Sequence, residues 1–363
     1  MRIAYLLHWH GGSETGVFKK IVAQVRQWSI NGLDVGIFIF SRVDCTGNWV
    51  QALDEVPVFL RTYGGFANRF DQVNALVNDI IKWNPTLVYF RHDLYYPGVR
   101  RLGDVIPLVL EINTDDLAEY RLGLKHRNLY NRLTRDRLLS FSRNMVFVSN
   151  ELSQLRHFSR HCKNIAVIAN GIELQDYPCL PAPDTRDPRL VFIGTPGQAW
   201  QGIDRVLWLA NRFPSWQFDL IGTGSRDVDS KLPPHVVAHG LINRDRYEPI
   251  LTHADIAIGT LALHRKGLSE ASPLKTREYL AYGIPTIIGY QDTDFLQPVP
   301  YLLQLSNTPT NIEEQVTSIQ QFVQAWKGRR VPRAEIAHID AHGKEKLRIS
   351  FFQQVLKTAR RSQ

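Results

Sequence analysis

The chain repeats one alternation along most of its length. Short runs rich in β-branched and aromatic residues are each followed by a stretch of helix length with apolar residues on one side. Short, near-continuous apolar runs read as strands buried on both faces, and parallel strands need connections long enough to hold a helix. This pattern restricts the fold to the α/β class more tightly than any other feature, because the crossover helices must cover the faces of a parallel sheet. RIAYLLHW (2–9) is the first predicted strand, and Gly16 to Trp28 the first predicted helix, with Val17, Ile21, Val22 and Val25 on one side. DVGIFIF (34–40), TLVYF (86–90), PLVLEI (107–112), NMVFVS (144–149) and NIAVIA (164–169) continue the series.

Pro178, Pro181, Pro183 and Pro188 interrupt it, and the segment 178–188 reads as an interdomain linker. The alternation then restarts with RLVFIG (189–194), QFDLIG (217–222), HVVAHG (235–240), DIAIGT (255–260) and PTIIG (285–289), with helices predicted from about Ile203 and over 272–282. At roughly 100–200 residues per domain, a chain of 363 residues has room for two doubly wound units. The expected division is 1–177, 189–340, and a segment 341–363 that packs back on the first unit. In that segment KEKLRISFFQQVLKTARR (344–361) spaces Leu347, Phe351, Val355 and Ala359 four apart, as in an amphipathic helix. Two such units facing one another would make a cleft, and open parallel sheets bind ligands outside the carboxyl ends of their strands.

Composition removes several classes. With 44% hydrophobic and 21% charged residues, the chain is neither disordered, collagen-like nor a coiled coil. Cys45, Cys162 and Cys179 are few and far apart, which argues against a disulfide framework or a structural zinc site and fits a reducing compartment. The first apolar run, Ile3 to Leu7, is too short for a signal peptide, and no run approaches a membrane span. The expected location is cytoplasmic, with a peripheral position at the inner face of the membrane as the variant.

The net charge of +8 divides unevenly: residues 1–178 hold 21 basic and 17 acidic side chains, residues 179–340 hold 16 and 17, and residues 341–363 hold 6 and 1. Arg121 to Arg143 alone contributes seven basic residues against Asp136. The stretch 121–143, with Leu122, Leu129, Leu133 and Phe141 among its cations, reads either as a helix lying on an anionic membrane surface or as a domain helix with a solvated face. It lacks the aromatic interleaving of a nucleic-acid-binding module, so no nucleic-acid partner is expected.

The densest chemistry lies in HRKGLSEASPLKTREYLAYGIPTIIG (264–289). Pro273 suits a first helical turn, and the free N–H groups of such a turn form an anion site. Lys275 adds a cation to that turn. Glu270 stands just before the helix and Glu278 inside it, so two acceptors straddle the place where a diphosphate would sit. One could hold sugar hydroxyls and the other a ribose.

Glu270 and Glu278 form an E-x7-E pair, and with S-P-L-K and the following G-I-P this run closely resembles that of the family 4 retaining glycosyltransferases of GT-B fold. The resemblance implies two facing Rossmann-like domains and a nucleotide diphosphate sugar as co-substrate, with no metal or other cofactor. It implies Glu278 as ribose ligand, and Glu270 with Lys275 as the catalytic pair. Ala271, Ser272, Pro273 and Leu274 would hold the hexose and its phosphates. Gly11-Gly12-Ser13-Glu14 follows the first strand as the family's Gly-rich loop does, placing Gly12 and Ser13 near the donor. IGTGS (221–225) resembles the second domain's I-G-x-G loop, with Gly222 and Gly224 at the nucleotide and base contacts from the backbone near Gly240 and Leu241. Asn170-Gly171-Ile172-Glu173 resembles the stretch that ends the first domain, and Gly202 belongs to the donor-diphosphate loop. Where many members carry a His near the donor sugar, this chain offers Asn113, with Glu111 and Asp115 beside it.

Two departures stand out. Thr195 and Gln201 occupy positions where many members carry an Arg and a Lys for the diphosphate. Lys275 is the first substitute, then Arg265 and Lys266, with backbone N–H groups from Gly197 to Gly202. Asp227-Val228-Asp229 and Asp292-Thr293-Asp294 match the D-x-D metal clamp of the other large glycosyltransferase fold, but sit in contexts that read as surface turns. No H-E-x-x-H run occurs among the twelve histidines, so a transition-metal site has little support.

The expected activity is transfer of a hexose-type sugar from a nucleotide diphosphate donor to a hydroxyl of a glycan or lipid-linked acceptor, in surface-polysaccharide synthesis, with retention of configuration. A nucleotide-sugar epimerase on the same fold and a non-catalytic nucleic-acid-binding protein are the alternatives.

Overall fold

The structure is a computed structural model that describes residues 1–121, 125–224 and 231–360. The chain forms two compact units, Met1–Ala169 together with Ala341–Gln363, and Asn170–Asp340.

The first unit is built on seven strands: β1 (Arg2–Trp9), β2 (Asp34–Ser41), β3 (Val58–Thr62), β4 (Leu87–Arg91), β5 (Leu108–Ile112), β6 (Asn144–Phe147) and β7 (Asn164–Val167). All pair in parallel, in the order β3-β2-β1-β4-β5-β6-β7. Ile3 faces Val35 on one side and Leu87 on the other, so the order reverses between β1 and β4. That reversal opens a crevice beyond the carboxyl ends of those two strands, the usual ligand position in such sheets.

The core against one face joins Tyr5, Trp28, Tyr89 and Phe352, whose ring centroids lie 5.1–5.5 Å apart in tilted or edge-on pairs. Phe352 arrives from the helix Ala341–Arg360 at the far end of the chain. Two buried carboxylates are satisfied inside this unit. Glu111 on β5 is paired with Lys20 at 2.8 Å and accepts from Tyr5 Oη at 3.0 Å. Glu345 accepts from Trp28 Nε1 at 2.7 Å and from Arg348 Nε at 2.8 Å. Each would cost far more left alone than it contributes when paired.

The second unit carries β8 (Arg189–Ile193), β9 (Gln217–Ile221), β10 (Val236–Gly240), β11 (Ile256–Ile258), β12 (Glu270–Ala271), β13 (Thr286–Ile288), β14 (Gln291–Asp292) and β15 (Leu302–Gln304). Six of them form a second parallel sheet ordered β10-β9-β8-β11-β13-β15, and β12 pairs with β14 apart from it. Here the order reverses between β8 and β11.

The strands anticipated from the apolar runs are present to within about two residues at either end. Three features differ. β3 and β15 escape the pattern because they are edge strands of five and three residues; β3 is only half-buried, with Arg61 ion-paired to Asp79 at 2.7 Å. The two-residue strands β12 and β14 are too short to read at all. The proline-rich 178–188 segment belongs wholly to the second unit, and the passage between units falls at Ala169/Asn170 and at Asp340/Ala341. Its lack of regular structure is offset by fixed partners: Leu180 N donates to Tyr282 O, Thr185 Oγ1 to Asp255, Arg330 Nε to Pro181 O and Lys327 Nζ to Arg186 O.

Candidate active site

The helix Leu274–Ala281 starts beyond β12, after Pro273 at its N-cap, and no side chain caps its first turn. Those amides are the orphan donors of any helix start, with the positive end of the helix dipole behind them. Lys275 and Tyr279 project from this helix onto the end of β8. Lys275 Nζ donates to Ile193 O at 3.1 Å, and Ile193 N donates to Tyr279 Oη at 2.6 Å. Both backbone groups of Ile193 are therefore taken by one helix, which fixes its register against the sheet. The Lys275 ammonium also lies 4.3 Å from the Phe192 ring centroid. Burial lowers its pKa to about 7, and no carboxylate among the described residues offsets that effect. Among the described residues no counter-charge faces this ammonium, and a helix start is a favourable place for an anion.

The two glutamates lie on either side. Glu270 sits on β12, buried, with β12 held to β14 through Gln291 N and Ser269 O at 2.9 Å. Glu278 is buried in the helix and accepts a 2.5 Å hydrogen bond from Tyr247 Oη. Nearby, Arg244 stacks 4.4 Å above the Tyr177 ring, and Tyr282 Oη donates to Glu248 at 2.7 Å. Tyr247, Tyr177 and Tyr282 all have raised pKa values, chiefly from burial, so they stay neutral donors.

Ser272 holds the loop between Glu270 and the helix. Its Oγ accepts from Asn170 N and Arg277 Nη2, both at 2.9 Å, while Asn170 Nδ2 donates to Ser272 O at 2.5 Å. Arg277 is fully buried and is gripped by Asp292 through two 2.7 Å bonds, by Asp294 at 3.0 Å and by Asn170 O at 3.0 Å. This corrects the surface-turn reading of Asp292-Thr293-Asp294. The pair is not a turn in water, because Arg277 needs both carboxylates to be buried as a cation. Their oxygens are committed to that guanidinium rather than presented to a metal. Asp227-Val228-Asp229 lies outside the described residues.

Glycines bring the remaining loops together. Gly222 follows β9 with φ +78°, and a Cβ there would meet Gly194 O at 2.1 Å. Gly222 N donates to Gly240 O at 2.8 Å, joining the loops after β8, β9 and β10. Gly224 is part of the same loop, and Leu241, just past Gly240, is 84% exposed. Gly202 caps the helix Ile203–Arg212 with φ +81° and packs against Leu261 and Ala262.

The positions that depart from the family pattern bond to each other: Thr195 N donates to Gln201 Oε1 at 3.0 Å. Of the substitutes, Arg265 is bidentate to Asp204 at 2.6 and 2.9 Å and also donates to Ala199 O, so it is engaged in holding the 199–204 turn. Lys266 lies 4.4 Å from the Trp200 ring centroid. Lys275, of the three, has no carboxylate partner among the described residues.

Gly12, Ser13 and Asn113 belong to the first unit. Gly12 O accepts from Thr15 Oγ1 at 3.0 Å, Thr15 caps the helix Gly16–Ile30, and Ser13 is exposed. Asn113, past the end of β5, accepts from Lys20 Nζ at 2.7 Å. Of its neighbours, Glu111 is consumed by the core and Asp115 pairs with His157 at 3.1 Å. Asp115, Asp116 and His157 place three ligand atoms within 4.8 Å of one another, but Asp116 is already bidentate to Arg135 at 2.8 and 2.9 Å.

Sequence reasoning missed Tyr247, Tyr279 and the Arg277 cluster. The available signal was the aromatic and cationic crowding of the helix itself, since K-T-R-E-Y-L-A-Y leaves no polar face to turn to water.

No protein-family model matches the chain, and no curated protein matches it in sequence. Solved structures match it over nearly its whole length. A glycosyltransferase from Rickettsia africae superposes with a TM-score of 0.69 at 12% identity, covering 98% of both chains. The lipopolysaccharide outer core galactosyltransferase WaaB gives 0.63 at 13%, covering 99% of this chain and 100% of its own. HepE of Anabaena, solved with UDP and glucose, gives 0.60 at 14% and 99% of both. The fold is GT-B. Two parallel α/β units of seven and six strands, matched end to end, place Glu270, Lys275 and Glu278 in the second Rossmann-like unit of that architecture.

Proposed function

We propose that this GT-B chain is a family 4-like retaining glycosyltransferase that moves a hexose-type sugar from a nucleotide diphosphate donor to a hydroxyl of a glycan or lipid-linked acceptor in surface-polysaccharide synthesis. The observation that carries the reading is Lys275: a half-buried ammonium with no matching carboxylate among the described residues, in the first turn of a helix whose N-cap makes no side-chain bond, between two buried glutamates. Support comes also from similar folds solved with UDP and glucose or with UDP-glucose.

In this reading the helix amides and Lys275 take the donor diphosphate, and Glu278, oriented by Tyr247, accepts from the ribose hydroxyls. Gly222, Gly224, Gly240 and Leu241 bring backbone and one apolar side chain to the nucleoside. Glu270, with Ala271 to Leu274, faces the sugar, and Gly202 lets the neighbouring loop come close to the phosphates. As the sugar–phosphate bond breaks, charge grows on the leaving phosphate oxygen, and donors already in place stabilise it without reorganisation. The acceptor hydroxyl attacks from the face the phosphate leaves, and that phosphate oxygen takes its proton, so no side chain has to serve as base. The reaction as written needs no metal, since the positive charge opposite the diphosphate is supplied by Lys275 and the amides.

The first unit would take the acceptor. The helix Lys125–Ser142, with Leu129 and Leu133 exposed beside Arg132 and Arg137, offers a surface for a lipid-linked one. No helix among the described residues is long and apolar enough to cross a membrane.

The test is a melting-temperature screen against UDP-, GDP- and other nucleotide sugars, followed by turnover of the stabilising donor. Lys275→Ala and Glu278→Ala should each lower kcat/KM by at least about a hundredfold, the loss expected for one preorganised charged contact. Unchanged kcat/KM in both variants would remove the assignment.

A further inference from the structure

A cavity of about 290 Å³ opens in the first unit beyond the carboxyl ends of β1, β4 and β5, where the strand order reverses. Its volume is at the small end for ligand pockets, room for about one sugar ring. Three atoms of its wall, His92 Nε2, Asn113 Nδ2 and Arg127 Nε, are buried and have no hydrogen-bond partner among the described residues. Buried polar atoms are nearly always paired, so three orphans on one small cavity point to a partner supplied from outside.

The charges of the wall say what that partner brings. Asp93 is held by Arg69 at 2.7 Å, His8 at 2.9 Å and Tyr96 at 2.7 Å. Asp116 is held by Arg135 and by Asn131 at 2.6 Å. Glu111, behind the wall, is matched by Lys20. With these acids matched by cations outside the lining, Arg91 and Arg127 line the cavity together with Glu119. Arg91 reaches Glu111 only at 3.4 Å, and Arg127 lies 5.5 Å from the Tyr120 ring centroid. Asn113 Nδ2 and Arg127 Nε can only donate, so the missing groups are acceptors.

We propose that this cavity binds an anionic monosaccharide unit of the acceptor, its carboxylate or phosphate held by Arg127 and Arg91 and a ring oxygen by Asn113. The proposal rests on the glycosyl-transfer reading for its role, though not for the binding itself. A carboxylate and a phosphate would satisfy the same donors, and the probes separate them.

The experiment measures equilibrium binding of glucuronate, glucose 6-phosphate, glucose and inorganic phosphate to the full chain, with UDP and GDP titrated on the same samples. One of the two anionic sugars should bind about tenfold or more tightly than glucose, as a charge-assisted contact requires, and more tightly than inorganic phosphate. Arg127→Gln should bring its affinity to within about twofold of glucose while the melting temperature is kept. Asn113→Asp, which leaves an acceptor for Lys20, should do the same by placing a negative charge on the wall. Equal binding of neutral and anionic sugars, a preference that survives both substitutions, or inorganic phosphate binding as well as the sugars would overturn the proposal. Failure of UDP and GDP to bind, with the sugar preference intact, would overturn the transferase reading instead.

Discussion

At the scale of single residues, the site is organised by ionisable groups in unequal surroundings. Arg277 is buried with two carboxylates, whereas Lys275 is half-buried and has none among the described residues, although they stand two positions apart on one helix. The first is architecture: it ties Ser272, Asp292 and Asn170 into one knot that holds the loop before the helix. The second carries a cost, because the folded chain must desolvate an ammonium that water would solvate freely in the unfolded chain.

The sign of the pH effect follows. With a folded pKa of about 7 against an ordinary 10.5, the unfolded chain binds more protons between those values, so this group makes stability rise with pH across that window. Below pH 7 the full cost is present. Lys275→Met should therefore stabilise the ligand-free protein, by something on the order of a few kcal/mol near pH 6 and progressively less towards pH 10. Urea unfolding at pH 6, 8 and 10 measures it. A variant no more stable than the parent at pH 6 would mean that the ammonium is better solvated than its surroundings suggest. Donor binding should move the other way, since a diphosphate restores the missing charge.

At the scale of elements, the strands were legible because buried parallel strands leave almost no choice of residue: LVYF at β4 and LVLEI at β5 have few readings other than a strand covered on both faces. Even the Glu in LVLEI is explained by Lys20 and Tyr5, which no local pattern could reveal because they lie about ninety and a hundred residues away in sequence. The E-x7-E pair and the helix between its members were visible through spacing. Tyr247 and the Asp292–Arg277 bond were not, since each joins segments that only the fold brings together. Asp292 and Asp294 read in sequence as surface-turn residues, and their bonds to the buried Arg277 show where that fails.

The loops at the ends of β8, β9 and β10 depend on a close approach that a side chain would prevent. Gly222→Ala would place a Cβ 2.1 Å from Gly194 O at φ +78°, so the loop must move. Gly240→Ala, at φ +65° with nothing within 4 Å of its Cβ, would bring only the left-handed strain of roughly 1–2 kcal/mol. Gly222→Ala should lose clearly more stability than Gly240→Ala in urea unfolding, and should raise the donor KM by a larger factor. Equal losses would show that the Gly222–Gly194 approach is not a constraint.

At the scale of the whole chain, charge and connectivity divide along the same line. The first unit, counted with its C-terminal segment, holds 27 Lys and Arg against 16 Asp and Glu, and the second holds 16 against 19. The anion site proposed around Lys275 therefore lies in a unit with a slight acidic excess, while the first unit carries a broad excess of positive charge. The chain leaves the first unit at Ala169 and returns at Ala341, so a core begun by β1 is finished by the last helix. Ile349, Phe351, Phe352 and Val355 are buried there, and at roughly 1.5–3 kcal/mol for each side chain they contribute an amount comparable to the whole stability of a domain. Deleting residues 341–363 should leave the first unit unfolded, exposing Trp28, which loses both its Phe352 contact and its bond to Glu345. Phe352→Ala should cost about 3–5 kcal/mol, whereas Leu347→Ala, at a side chain 58% exposed, should cost less than about 0.5 kcal/mol. Tryptophan fluorescence during urea unfolding reads all three changes. A deletion variant that kept the parent's midpoint would show that the first unit is complete without its last helix, against the packing of Phe352 on Tyr89 and Trp28.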